Sequence, residues 1–128
     1  MLEALGAKLV SASVATLATD LFLGHMPEQP DRCVALFEYQ GAEPRETLTS
    51  MSTTIEMPSI QVMVRDVTYP NARALTASVR NTLTGIINET ISGVRFLRVN
   101  QLNSMNSIGR DATERSMFTL SLQAFVER

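Results

Sequence analysis

The chain has 128 residues, of which 45% are hydrophobic and 19% are charged, and its formal net charge is -2. This length predicts one domain with enough apolar side chains for its own core, and the slightly acidic balance argues against a nucleic-acid-binding surface. The single cysteine, Cys33, excludes an intrachain disulfide and any cysteine-rich metal site.

The N-terminal segment is predicted to form an amphipathic helix over residues 2–19. Leu2, Leu5, Leu9 and Ala12 recur at helical spacing and are expected to share one face. The segment superficially resembles the core of a signal peptide, but serines and threonines interrupt it, so a signal peptide is the minority interpretation. No apolar stretch of the sequence is long enough to span a bilayer.

Two predicted strands flank a long polar segment. Residues 33–39 are apolar on both faces, as in a well-covered strand. Residues 59–66 alternate between apolar and polar, and Ile60, Val62 and Val64 are expected to face the core. The connection between them, residues 40–58, is rich in Thr and Ser and is unusually long for a compact domain. It is either a functional loop or a hairpin arm, and the flanking strands favour the arm.

The second strand runs directly into a helix. After Tyr69 and Pro70, apolar residues recur at helical spacing, which predicts a helix over residues 70–84 with Ala72, Leu75, Val79 and Leu83 facing the core. Pro70 suits the first helical turn because its missing N–H has no partner there. The corner contains no glycine, so it does not resemble a phosphate cradle.

The C-terminal third predicts two further strands. They cover residues 94–102 and 116–127, and a second long loop, residues 103–115, joins them. The last strand alternates cleanly, with inward positions Phe118, Leu120, Leu122, Ala124 and Val126. The order α-β-β-α-β-β predicts a single α+β domain over residues 1–128, with one four-stranded sheet and two packed helices.

The sequence contains no recognisable set of catalytic or metal-binding residues. His25 is the only histidine, the acidic residues are scattered, and no serine lies in a nucleophile elbow. We therefore expect no enzyme activity, no cofactor and no metal. A small enzyme remains an alternative that needs acids with perturbed pKa values converging in a pocket.

The segment GRDATER, residues 109–115, is the most distinctive polar stretch. It is interpreted either as a solvated turn, in which Asp111 bonds to nearby backbone, or as a contact loop whose arginines pair with carboxylates of another subunit. The methionines in or beside the two long loops suit either an adaptable assembly surface or core filler: Met51, Met57, Met105 and Met117.

Three stretches, in this order and spacing, carry a family resemblance. They are ALFEYQGAEPRETL (residues 35–48), IQVMVRDVTYPNARALTASVRNTL (60–83) and GVRFLRVNQLNSMNSIGRDATERSMFTLSLQAFV (93–126). In the last of them, GRD, a short gap, an arginine and then an aromatic strand follow one another. Over roughly residues 34–126 the chain resembles the phage minor capsid and tail-terminator (tail-completion) proteins of long-tailed siphophages.

The resemblance implies a structural role in the virion. Such proteins form a hexameric ring that caps the tail tube at its head-proximal end, stops tube growth and joins the tail to the head connector. The implied partners are further copies of the chain, the tail tube protein, the connector or neck proteins and the tape measure protein. DNA is expected only to pass through the ring, no membrane is involved, and assembly is expected in the bacterial cytoplasm.

The two long loops are the expected subunit interfaces. Their candidate contact residues are Glu43, Arg45, Met51, Met57, Met105, Arg110, Asp111 and Arg115. Another neck or head-completion subunit is the nearest alternative. A ferredoxin-like nucleic-acid-binding module is a more distant one, because the chain lacks the aromatic and basic motif of RNA-recognition domains.

Overall fold

The computed structural model describes residues 1–46 and 54–127, which form two helices and seven strands. The elements are α1 (Leu2–Ser11), β1 (Leu21–Leu23), β2 (Cys33–Glu46), β3 (Thr54–Asp66), α2 (Tyr69–Thr84), β4 (Ile87–Ile91), β5 (Val94–Gln101), β6 (Asn106–Arg110) and β7 (Ser116–Glu127). The predicted α+β class is confirmed. The predicted strand number of four is wrong, because the described residues form seven strands in one sheet.

The sheet is mixed, with the strand order β1-β2-β3-β7-β5-β4. The β1–β2 pair is parallel and the other pairs are antiparallel. Strands β5 and β6 lie end to end along one edge of β7, where Gln101 pairs with Leu122 and Asn106 pairs with Thr119. Strand β3 pairs along the other edge of β7, so β3 and β7 form the centre of the sheet.

The three strands that sequence periodicity missed are short or exposed. Strand β1 has three residues, which is too few for an alternating pattern. Strand β4 lies at an edge, and all five positions of β6 are exposed. Edge strands are held by backbone hydrogen bonds and need no buried side-chain row, so hydrophobic alternation does not reveal them.

Helix α1 is shorter than predicted, because it ends at Ser11 and not near residue 19. Ser13 follows with a φ of 59°, a left-handed conformation that a helix does not continue through. Leu5 and Leu9 are buried as expected, whereas Ala12 lies beyond the helix and is exposed. Serine and threonine side chains in this segment favour turns over helix interiors.

The described part of residues 40–58 is a paired hairpin. Strands β2 and β3 continue well past the predicted strand ends, with the pairs Ala42–Met57, Arg45–Ile55 and Glu46–Thr54. Register shifts occur between Tyr39 and Arg45, and such irregularities bend and twist a strand pair. We refer to Gln40–Glu46 and Thr54–Pro58 as the arm.

The core lies between the two helices and one face of the sheet. The predicted inward rows of β3, β7 and α2 are all confirmed as buried: Ile60, Val62, Val64, Ala72, Leu75, Val79, Leu83, Phe118, Leu120, Leu122, Ala124 and Val126. Phe96 and Val99 of β5 extend the same cluster. The helices cover this face of the sheet, so contacts with other molecules must involve the sheet edges, the strand ends and the exposed surfaces of the fold.

The corner between β3 and α2 is fixed locally. The side chain of Thr68 caps the helix by accepting a hydrogen bond from the Asn71 N–H at 3.4 Å, and Pro70 lies in the first turn. The Tyr69 ring packs on Phe118 with ring centroids 5.2 Å apart. The corner is therefore a structural junction, in agreement with its lack of glycine.

Candidate assembly surfaces

Arg115 lies immediately before β7 and is held within the chain. Only 7% of its side chain is exposed. Its Nε donates to Asp111 Oδ2 at 2.8 Å, and its Nη1 donates to the Glu28 carbonyl at 2.5 Å and to Asp31 Oδ1 at 3.2 Å. The guanidinium thus ties the turn before β7 to the segment before β2.

Asp111 organises the same turn from the other side. Its Oδ1 accepts hydrogen bonds from the backbone N–H groups of Thr113 and Arg115, at 3.0 and 2.9 Å. The Arg115 N–H is the largest cause that lowers the Asp111 pKa from 3.8 to about 2, because these donors stabilise the charged carboxylate. Asp111 therefore shapes a rigid turn next to β6.

Arg65, at the end of β3, reinforces this arrangement. It is 4% exposed, and its Nη2 and Nε donate to the carbonyls of Pro30 and Asp31 at 2.6 and 3.3 Å. Two buried guanidinium groups, one at the end of β3 and one just before β7, therefore hold residues 28–31 against the sheet. Sequence reasoning did not identify Arg65, because its acceptors are carbonyls more than thirty residues away and carry no motif.

The eight predicted contact residues occupy different environments. Arg110 is at the surface of β6, with 65% of its side chain exposed and an ion pair to Glu114 at 3.1 Å. Met57 is buried and Met105 packs against the core. Glu43 and Arg45 belong to the arm strand β2, and Met51 lies outside the described residues. As subunit contacts, all eight remain predictions.

The arm and the β6 turn lie at opposite ends of β7. Ile55 of the arm pairs with Glu127, whereas Arg110 pairs with Ser116. At the usual rise per strand residue, these ends are separated by roughly 37 Å. The two regions therefore cannot form one patch on the same molecule.

Among the described residues, one outer edge of the sheet is largely uncovered. Strand β1 pairs with β2 only at Val34, Ala35 and Leu36, and the Gly24 N–H then donates to the Leu36 carbonyl at 2.8 Å. Beyond Leu36, no strand within residues 1–46 and 54–127 pairs with this edge of β2. Free backbone groups on an edge can accept a strand from another chain.

Within the described residues, no group of three or more His, Cys, Asp or Glu side chains could hold a metal ion. A cleft of about 610 Å³ lies beside α2, and Asp66 is the one acid among its lining residues in the described chain. None of the helices in the described ranges is long and apolar enough to cross a bilayer.

Comparisons with known proteins point to one family. Residues 8–128 match the model of the family described as bacteriophage tail terminator protein. The fold is similar to that of a chain from the virion of a native gene transfer agent particle, with a TM-score of 0.68, 16% sequence identity, and coverage of 98% of this chain and 93% of that chain. No functionally curated protein matches the sequence.

Proposed function

Because the chain belongs to the bacteriophage tail terminator family, and so to the structural proteins of phage virions, we propose that it forms a closed ring of six copies at the head-proximal end of the tail tube. The ring stops tube polymerisation and joins the tail to the connector, with DNA passing through its lumen. The tube protein, the neck proteins and the tape measure protein are its neighbours. This role requires surfaces and no catalysis.

The observation that carries the proposal is the placement of the arm and the β6 turn at opposite ends of β7. A closed ring needs two different patches on each subunit, because the contacts are head-to-tail. Two polar regions at opposite ends of β7, separated by roughly 37 Å, meet this requirement. A two-fold dimer, in contrast, would use one self-complementary patch.

The arm is the stronger of the two contacts. No strand of the described residues pairs with its outer backbone edge, so a neighbour's strand can pair there, and such pairing gives affinity with little demand on side chains. Arg110 and Glu114 are 65% and 76% exposed, so charge pairing at this end is a rim effect of about 1 kcal/mol or less. Asp111 and Arg115 contribute by fixing the turn that presents Arg110.

Deletion of residues 44–56 tests this proposal in the phage that encodes the chain. We expect the deletion to abolish tail completion and to give overlong, headless tails in electron micrographs, because the ring no longer closes on the tube. Arg110→Ala is the comparison variant and should only weaken completion. The melting temperature of each purified variant shows whether its fold survives.

Tail length distinguishes a role in ending tube growth from a role in joining the tail to the head. A deletion variant that folds and gives tails of normal length without heads would assign the chain to head joining, not to termination. Normal-length tails with heads attached would exclude the arm as the essential contact.

A further inference from the structure

A cleft separates the end of α1 from the exposed side of α2. Its volume is about 610 Å³, and its polar lining includes Ser13, Arg32, Asp66, Asn71 and Ser78. The volume exceeds that of any single side chain. The cleft lies on the helix-bearing side of the sheet, because Asp66 follows the inward row of Val62 and Val64 along β3.

Asp66 is the notable group in this cleft. The residue is 9% exposed, and only its Oδ1 has a partner, the Val67 N–H at 2.7 Å. Among the described residues, no cation lies within salt-bridge distance of this carboxylate and no donor reaches Oδ2. No fully buried side-chain polar atom of the described chain lacks a partner, so Oδ2 must be accessible to solvent.

The other charged residue of the cleft is already neutralised. Arg32 forms an ion pair with Asp20, and its Nη2 donates to the Val14 carbonyl at 2.8 Å. The cleft therefore presents one carboxylate with an unused oxygen, surrounded by hydroxyl and amide groups that can accept hydrogen bonds. Because Oδ2 has no protein donor among the described residues, a cation that reaches it gains a charge-assisted hydrogen bond without breaking an existing ion pair.

We propose that this cleft receives a cationic side chain, an arginine guanidinium, from a neighbouring protein. A guanidinium carries five N–H donors in a planar fork, which suits one carboxylate oxygen together with the oxygens of Ser13, Asn71 and Ser78. A single acid offers too few ligands for a divalent metal ion. That the neighbour is another virion subunit rests on the proposed function, whereas the cation site itself does not.

The test is an amide-resolved NMR titration of the full-length ¹⁵N-labelled chain with N-acetyl-argininamide. We expect saturable shifts at Ser13, Asn71 and Ser78, with a dissociation constant on the order of 1–10 mM for a probe of this size. N-acetyl-citrullinamide has nearly the same shape without the charge and should bind about tenfold more weakly or worse. N-acetyl-lysinamide shows whether an ammonium serves equally well.

Variants locate the site. Asp66→Asn keeps an oxygen for the Val67 N–H and removes the charge, so it should weaken N-acetyl-argininamide binding about tenfold. Glu3→Gln removes the same charge from an exposed side chain of α1 and should leave binding unchanged. If Asp66→Asn does not fold, the comparison of N-acetyl-argininamide with N-acetyl-citrullinamide on the natural chain is sufficient to test the cation site.

Equal binding of N-acetyl-citrullinamide, or shifts that fail to saturate or that spread over unrelated surface acids, would overturn the cation site. Tail length has no part in this measurement. The cation site can therefore be disproved while ring formation is confirmed. Conversely, a chain that does not terminate tails can still bind the arginine probe in this cleft.

Discussion

At the scale of residues, the charged side chains around β7 divide into structural and free groups. Arg115 and Arg65 are almost fully buried and hold residues 28–31 through carbonyl and carboxylate oxygens. Removing either guanidinium would lose charge-assisted hydrogen bonds, each worth about 1.5–3 kcal/mol, and would release residues 28–31 from the sheet. Arg110, only five residues from Arg115, is 65% exposed and forms only a surface ion pair with Glu114, so other molecules can reach it. Spacing in the sequence could not separate these roles, because the acceptors come from a distant loop.

The Asp111 turn predicts a specific loss of stability in acid. The folded pKa is about 2 and the ordinary value is 3.8, so the folded state binds its proton more weakly than the unfolded state. The resulting stability is fully present above about pH 4 and disappears as the pH falls towards 2. Asp111→Asn should flatten the dependence of the unfolding free energy on pH in this window.

Urea unfolding at several pH values, for the natural chain and for Asp111→Asn, checks this prediction. Glu114→Gln, three residues away and exposed, is the matched control, because it removes one carboxylate charge and keeps the Asp111 acceptor of the Thr113 and Arg115 N–H groups. Parallel curves for the natural chain and Asp111→Asn would show that the turn contributes nothing through this carboxylate.

At the scale of elements, long periodic segments were predictable and short edge elements were not. The inward rows of β3, β7 and α2 follow from alternation or helical spacing, because burial selects apolar residues at those positions. Strands β1, β4 and β6 are defined by backbone pairing, and β6 has no buried position at all. Helix α1 ended early because turn formation after Ser11 prevailed over continuing apolar spacing.

Substitutions in helix α2 test which face of the helix packs against the core. Val79 is fully buried, so Val79→Asp places a charge without a partner in the core and should lower the unfolding free energy by several kcal/mol. Asn81→Asp adds the same charge two residues away on an exposed position and should cost less than about 1 kcal/mol. Chemical denaturation measures both. Similar values for the two variants would mean that the packed face of α2 is assigned wrongly.

At the scale of the whole molecule, the fold keeps its core on one side and places its candidate contacts at the ends and edges. The arm and the β6 turn lie at opposite ends of β7, and within residues 1–46 and 54–127 no strand pairs with the outer edge of β2 beyond Leu36. The sequence could suggest the arm from its length and flanking strands. The sequence could not place the two loops relative to each other, because their positions depend on the strand order. It also could not reveal the cleft around Asp66, because the walls of the cleft come from three separate segments.

Closure of copies of this chain into one ring on the tail tube is measured most directly by cryo-electron microscopy of isolated virions, focused on the head-proximal end of the tail. We expect a single ring of six copies between the last ring of tube protein and the connector, with the arm of each copy contacting its neighbour. Density for this fold repeated along the tube, or present there as separate copies without mutual contact, would contradict it.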